Sequence, residues 1–173
     1  MKALIVVDMQ NDFVDGALGF EVADGIISGI ADKINEYKAS GDEVVYTLDT
    51  HHENYSDTQE GKNLPVSHCI EGTEGYDLVP ALKDILSDCK AFKKPVFGSM
   101  ELGNYIGKNA SRYDSIELCG LVSNICVISN AVIAKAAAPE AQIIVNRALT
   151  DSFDKKLNDE TFDIMKGIQI TVL

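Results

Sequence analysis

Several features are missing from the sequence, and each absence excludes something. No uninterrupted apolar stretch approaches the ~20 residues that a membrane-spanning helix needs. Basic residues are not in surplus. Lys and Arg number 15 against 27 Asp and Glu, a formal charge of −12, so the chain lacks the basic footprint a nucleic-acid surface requires. The acidity reads equally well as ordinary solubility charge. The four cysteines (69, 89, 119 and 126) make no CxxC pair and no dense framework. Met1 to Asp8 carries one lysine and runs straight into an apolar stretch, which does not read as a signal peptide. Reduced thiols in a cytoplasmic protein are therefore expected. There is no GxGxxG, no phosphate-binding GxxxxGK[ST], no GxSxG and no HExxH. An aspartyl-phosphate phosphatase would want a second Asp two residues after Asp8, where this chain has Gln10.

What is present is a chain of 173 residues, 46% apolar and 24% charged, a length and composition that suit one domain with a substantial core. Ala3 to Val7 is apolar throughout, the pattern of a strand buried on both faces. Further strands are expected at Glu43 to Leu48, Cys89 to Lys93, Ser115 to Cys119, Ala141 to Val145 and Ile168 to Val172. Helical spacing falls between them, over Gly25 to Ala39, Tyr76 to Leu86, Met100 to Asn109, Ile125 to Ala138 and Lys155 to Lys166. The stretch from Thr50 to Gly75 reads as a long irregular loop, and at that length a functional one. Alternation of this kind predicts an α/β fold: a single doubly wound, mainly parallel sheet of about six strands with helices on both faces. Ligands in such sheets bind beyond the carboxyl ends of the strands.

Three reactive side chains are expected at that edge: Asp8 after the first strand, Asp49 after the second and Cys126 after the fourth. With Ser123 as N-cap, Cys126 would be the third residue of a helix, where the dipole favours a thiolate and free amides can hold an oxyanion. Taken alone, a free cysteine is better explained as core. The long loop supplies all three histidines. Asp49, His51, Glu60 and His68 would make a mixed nitrogen and oxygen site suited to zinc, manganese or iron, and a polar surface loop is the plain alternative. His52 and Glu53 read as solvated. Lys94, just past a strand end, can reach the edge that holds Asp8.

These segments resemble the isochorismatase-like cysteine hydrolases, and among them the nicotinamidases. The likeness rests on Val6 to Phe13, Thr47 to His51, Leu64 to Cys69, the Lys94 segment and Gly120 to Val127, in that order. It implies a catalytic triad of Asp8, Lys94 and Cys126. It also implies an oxyanion hole from the backbone amides of Val122 and Cys126, and a cis peptide before Val122. Asp49, His51 and His68 match metal-ligand positions, with Glu60 as the fourth ligand of one variant, and the metal, zinc first among the candidates, would hold a pyridine nitrogen. Phe13, Leu64 and Phe97 would line the substrate. Leu64 stands where nicotinamidases often carry an aromatic residue, and Asn124 where an Asp is common. The implied activity is hydrolysis of nicotinamide to nicotinic acid and ammonia, feeding NAD salvage, in a homo-oligomer that takes a small amide substrate and neither nucleic acid nor membrane as partner. The alternatives are a related hydrolase acting on another small amide or carbamoyl compound, a non-catalytic binding module of the same fold, and a thiol redox protein using Cys119.

Overall fold

The computed structural model describes residues 1–21 and 23–173, the side chains at 23 and 24 excepted. Six strands form one sheet: β1 (Lys2–Val7), β2 (Glu43–Asp49), β3 (Lys90–Lys94), β4 (Ser115–Leu121), β5 (Gln142–Asp151) and β6 (Thr171–Val172). Their order is β3-β2-β1-β4-β5-β6 and every pairing is parallel. The helices are α1 (Asn11–Val14), α2 (Ile27–Ala39), α3 (Gln59–Asn63), α4 (Pro80–Lys83), α5 (Met100–Asn109), α6 (Ile128–Ala137) and α7 (Lys155–Gly167). None of them is long and apolar enough to cross a membrane.

β1 shows why the sheet is covered on both sides. Successive side chains of a strand point to opposite faces. Ala3, Ile5 and Val7 enter one apolar core, which includes Leu102, Ala131 and Phe162 of α5, α6 and α7. Leu4 and Val6 enter the other, with Ile30 and Ile34 of α2 and Leu82 of α4. The strand order reverses between β1 and β4, so a crevice opens between their carboxyl ends. Val7 of β1 stands opposite Gly120 of β4 at that point.

Four expected elements come out differently. Only Pro80–Lys83 of the expected Tyr76 to Leu86 helix forms as α4. The segment before it is drawn out instead, with Leu78 bridging Gln10 and the Val79 amide bonded to the Met9 carbonyl. β5 runs on to Asp151, past an irregularity opposite Leu118 to Gly120. β6 is cut to two residues because α7 ends in a turn over Ile168–Ile170, with Gln169 at φ 65°. The stretch from Thr50 to Gly75 is irregular but ordered, containing a short turn at Tyr55–Asp57, then α3, then a turn beginning at Glu74.

Candidate active site

β1 delivers Asp8 to the crevice in a left-handed conformation (φ 48°), one that Asp tolerates better than most residues. Asp8 is fully buried. Thr47 of β2 fixes it: the Asp8 amide donates to Thr47 Oγ1 at 3.3 Å, and the Thr47 hydroxyl donates to Asp8 Oδ1 at 2.6 Å. Lys94, at the end of β3, has Nζ 2.7 Å from Asp8 Oδ2, 3.0 Å from Asp49 Oδ1 and 3.5 Å from Cys126 Sγ. The Lys94–Asp8 contact is a buried ion pair, and a carboxylate oxygen so paired still has lone-pair capacity for a further proton.

The electrostatics follow from burial. Burial raises the Asp8 carboxyl above its ordinary value, against the pull of the Lys94 charge. Burial likewise works against the Lys94 ammonium, but its negative neighbours, Asp8 foremost, outweigh it and hold the group firmly charged. Cys126 is pushed up by burial and by the Asp8 charge, which together exceed the help from Lys94. Burial and the Asp8 charge thus work against the thiolate that a helix terminus would favour, and the Lys94 charge works for it.

The turn that carries Cys126 also differs from expectation. Ser123–Val127 form one π-helical turn before α6, and the capping position is Val122, with no side-chain bond. The Ser123 hydroxyl turns to Asn158 Oδ1 of α7. Cys126 is therefore the fourth residue of a π turn, not the third of an α-helix. The Val122 carbonyl accepts from the amides of Ile125 (3.2 Å) and Val127 (3.1 Å). The Cys126 amide between them is not a donor to that carbonyl. The Leu121–Val122 peptide is cis. Gly120 has φ 107°, and a Cβ there would lie 2.1 Å from the Val7 carbonyl oxygen, so only glycine lets β4 come this close to β1.

Beside the thiol lies a second cluster. One ligand atom each from Asp49, His51, Glu60 and His68 falls within 4.8 Å of all the others. His51 Nε2 and His68 Nε2 face Asp49 Oδ2 at 3.1 and 3.3 Å. His68 Nδ1 lies 2.8 Å from the Val66 carbonyl, a contact that orients the ring with Nε2 turned into the cluster. Glu60 Oε2 is buried without a hydrogen-bond partner. Burial and the Asp49 charge raise the Glu60 carboxyl. Burial opposes the Asp49 charge too, but the bonds from His51 and His68 outweigh it and hold that carboxyl well below the usual range. Two carboxylates, two imidazoles and an orphaned buried oxygen fit a divalent cation. Asp49 spans both clusters, with one oxygen toward Lys94 and the other toward the histidines.

The expected ring-binding residues surround this centre unevenly. Phe13 is buried with its ring 5.7 Å from that of His68, edge to face. Leu64 and Phe97 are partly exposed. The Leu64 carbonyl accepts from the Tyr55 hydroxyl at 2.9 Å, and Tyr55 packs on both His51 and His68. His52 and Glu53 are exposed, as expected. A cleft of about 280 Å³ runs beside the second cluster, lined by His51, Tyr55, Glu60, Pro95 and Val96. The larger groove of about 560 Å³, between α5 and α6, has no thiol, imidazole or carboxylate on its walls.

Three supporting residues escape sequence reasoning. Thr47 holds Asp8, and its one visible signal is that it shares a strand face with Asp49, two residues on. Gln10 grips Asp49 at both backbone groups, Nε2 to its carbonyl at 2.9 Å and Oε1 from its amide at 2.8 Å. Asp12 Oδ2 accepts the Cys69 amide at 2.7 Å and so fixes the residue after His68.

A family model described as "Isochorismatase domain" matches residues 2–173. The nicotinamidase/pyrazinamidase of Mycobacterium tuberculosis is 28% identical over 142 residues, 73% of this chain and 75% of that one. Among solved structures, the pyrazinamidase of Pyrococcus horikoshii in complex with zinc superposes with a TM-score of 0.86 at 26% identity, covering 99% of this chain and 98% of that one. The pyrazinamidase/nicotinamidase of Streptococcus mutans superposes with a TM-score of 0.87 at 28% identity, over the whole of both chains.

Proposed function

The chain belongs to the isochorismatase domain family, and on that premise we propose that it is a metal-containing cysteine amidohydrolase converting nicotinamide to nicotinic acid and ammonia. The observation that carries this reading is the contact of Lys94 with Asp8, Asp49 and Cys126 together, which joins a thiol and its base to a cluster fit for a cation. The nicotinamidase and pyrazinamidase names of the relatives supply the substrate class.

The chemistry follows from the resting state. Asp8 Oδ2 accepts the Cys126 proton as Sγ attacks the amide carbon, and the carbonyl π electrons move onto oxygen. The backbone amides of Val122 and Cys126 hold that oxyanion. When the tetrahedral centre collapses, the C–N bond breaks, Asp8 gives its proton to the departing nitrogen, and ammonia leaves a thioester on Cys126. Water gives a proton to Asp8 and adds to the thioester carbon. The C–S bond then breaks, the acid leaves, and the proton returns to sulfur. Lys94 holds the Asp8 carboxylate in place and balances the negative charge that passes between base, sulfur and oxyanion. Asp49, His51, Glu60 and His68 would hold a divalent metal, zinc by preference given the zinc complex of the Pyrococcus relative, and its chemistry there is to bind the pyridine nitrogen. Phe13, Leu64 and Phe97 flank the ring.

This reading carries with it a single domain over 1–173, a cytoplasmic setting, a homo-oligomer and a place in NAD salvage. Ammonia release from nicotinamide, pyrazinamide and unrelated small amides, with and without chelator, tests it. Turnover of the two ring amides that falls on chelation and returns with zinc is expected. Turnover confined to other amides or carbamoyl compounds rejects the substrate.

A further inference from the structure

Resting on Cys126 as the nucleophile, we infer that Asn130 is a positioning residue that locks the nucleophile turn to the loop following Lys94. Asn130 is fully buried on α6, four residues after Cys126. Its carboxamide makes three bonds, all to backbone. Nδ2 donates to the Cys126 carbonyl at 2.8 Å and to the Phe97 carbonyl at 3.1 Å. Oδ1 accepts from the Ser99 amide at 3.0 Å. Ser99 in turn caps α5, its hydroxyl accepting the Leu102 amide at 3.1 Å.

One side chain thus spans two segments that are otherwise joined at the site by the Lys94–Cys126 contact. The loop lies flush on α6, since a Cβ on Gly98 would meet the Ile133 side chain at 2.7 Å. Apolar packing on this Ala-rich helix calls for no carboxamide. A buried amide whose donors and acceptor are all spent on loop and nucleophile backbone has a different task. In a π turn the amide-to-carbonyl register is displaced, as the Val127 bond to Val122 shows, and the Asn130 side chain adds a grip on the Cys126 carbonyl. Through Phe97 the same amide sets the distance between one wall of the ring site and the sulfur. Misplacement of a reacting group by about an ångström costs up to about a hundredfold in rate.

The test compares wild type with Asn130→Leu and Asn130→Asp in zinc-loaded protein, well below each variant's thermal midpoint, so that every molecule assayed is folded. The Asp variant keeps the size and the acceptor for Ser99 but turns a carboxylate toward two carbonyls. We expect kcat to fall by about tenfold or more in both, with KM for the ring amide raised severalfold. A residue with a merely structural role would lower the midpoint and leave both constants alone. Values of kcat and KM within about twofold of wild type in the folded variants overturn the inference, as does failure of both variants to fold, which would make Asn130 a folding determinant. Absence of amide turnover in the wild type would instead sink the reading of the site itself.

Discussion

At the scale of single residues, Asp49 and Lys94 matter most, because each belongs to both clusters. Asp49 gives one oxygen to Lys94 and the other to two imidazoles. Lys94 is a buried cation whose partners, Asp8 and Asp49, are buried anions. Removing one member of such a set leaves uncompensated charge in the interior, which costs about 3–5 kcal/mol. Lys94→Met should therefore lower unfolding stability by that amount in urea as well as abolish turnover. A loss under about 1 kcal/mol would mean that water reaches the two carboxylates. The principal side chains were readable from sequence because reactive residue types are rare and stand at strand ends. Thr47, Gln10 and Asn130 were not. Each acts on a segment 31 or more positions away through hydrogen bonds to backbone or carboxylate, and neither periodicity nor composition encodes such a pairing.

At the scale of elements, the strand-to-turn passage at Gly120–Val127 sets the geometry. A left-handed glycine lets β4 close on β1, a π turn follows, and the amides of Val122 and Cys126 are left to face the sulfur's reaction partner in the proposed chemistry. The glycine has no substitute, since a methyl group there meets Val7 backbone atoms at 2.1 and 2.7 Å and backbone cannot swing aside. Gly120→Ala should cost about 3 kcal/mol or more, or prevent folding, as urea unfolding of the purified protein would show. Retention of wild-type stability would contradict the close approach of the two strands. The strand was evident from its apolar run, whereas the π turn was not, because Ser123 looks like an ordinary N-cap and its hydroxyl is claimed by Asn158 on a helix far along the chain. The expected helix at Tyr76 to Leu86 failed for a similar reason. Its apolar spacing was real, but Leu78 and Val79 spend their backbone bonds on the loop after β1.

At the scale of the whole molecule, the order β3-β2-β1-β4-β5-β6 puts every proposed active group near one reversal point. Asp8 follows β1, Asp49 ends β2, Lys94 ends β3 and Cys126 follows β4. The alternation of strands and helices was legible because buried parallel strands read as unbroken apolar runs and surface helices as stripes. The meeting of a thiol, its base and a metal-type cluster is a property of the fold, since no two of those segments are adjacent in sequence except Asp49 and His51. The proposed activity therefore hangs on one sulfur placed by the entire sheet. Ammonia release from nicotinamide by wild type and by Cys126→Ala, at matched metal content, with acid-quenched wild type examined by mass spectrometry, tests this most directly. The expected result is turnover in wild type with a nicotinoyl group on the Cys126 peptide, and no turnover in Cys126→Ala. Equal ammonia release by the two proteins would contradict it.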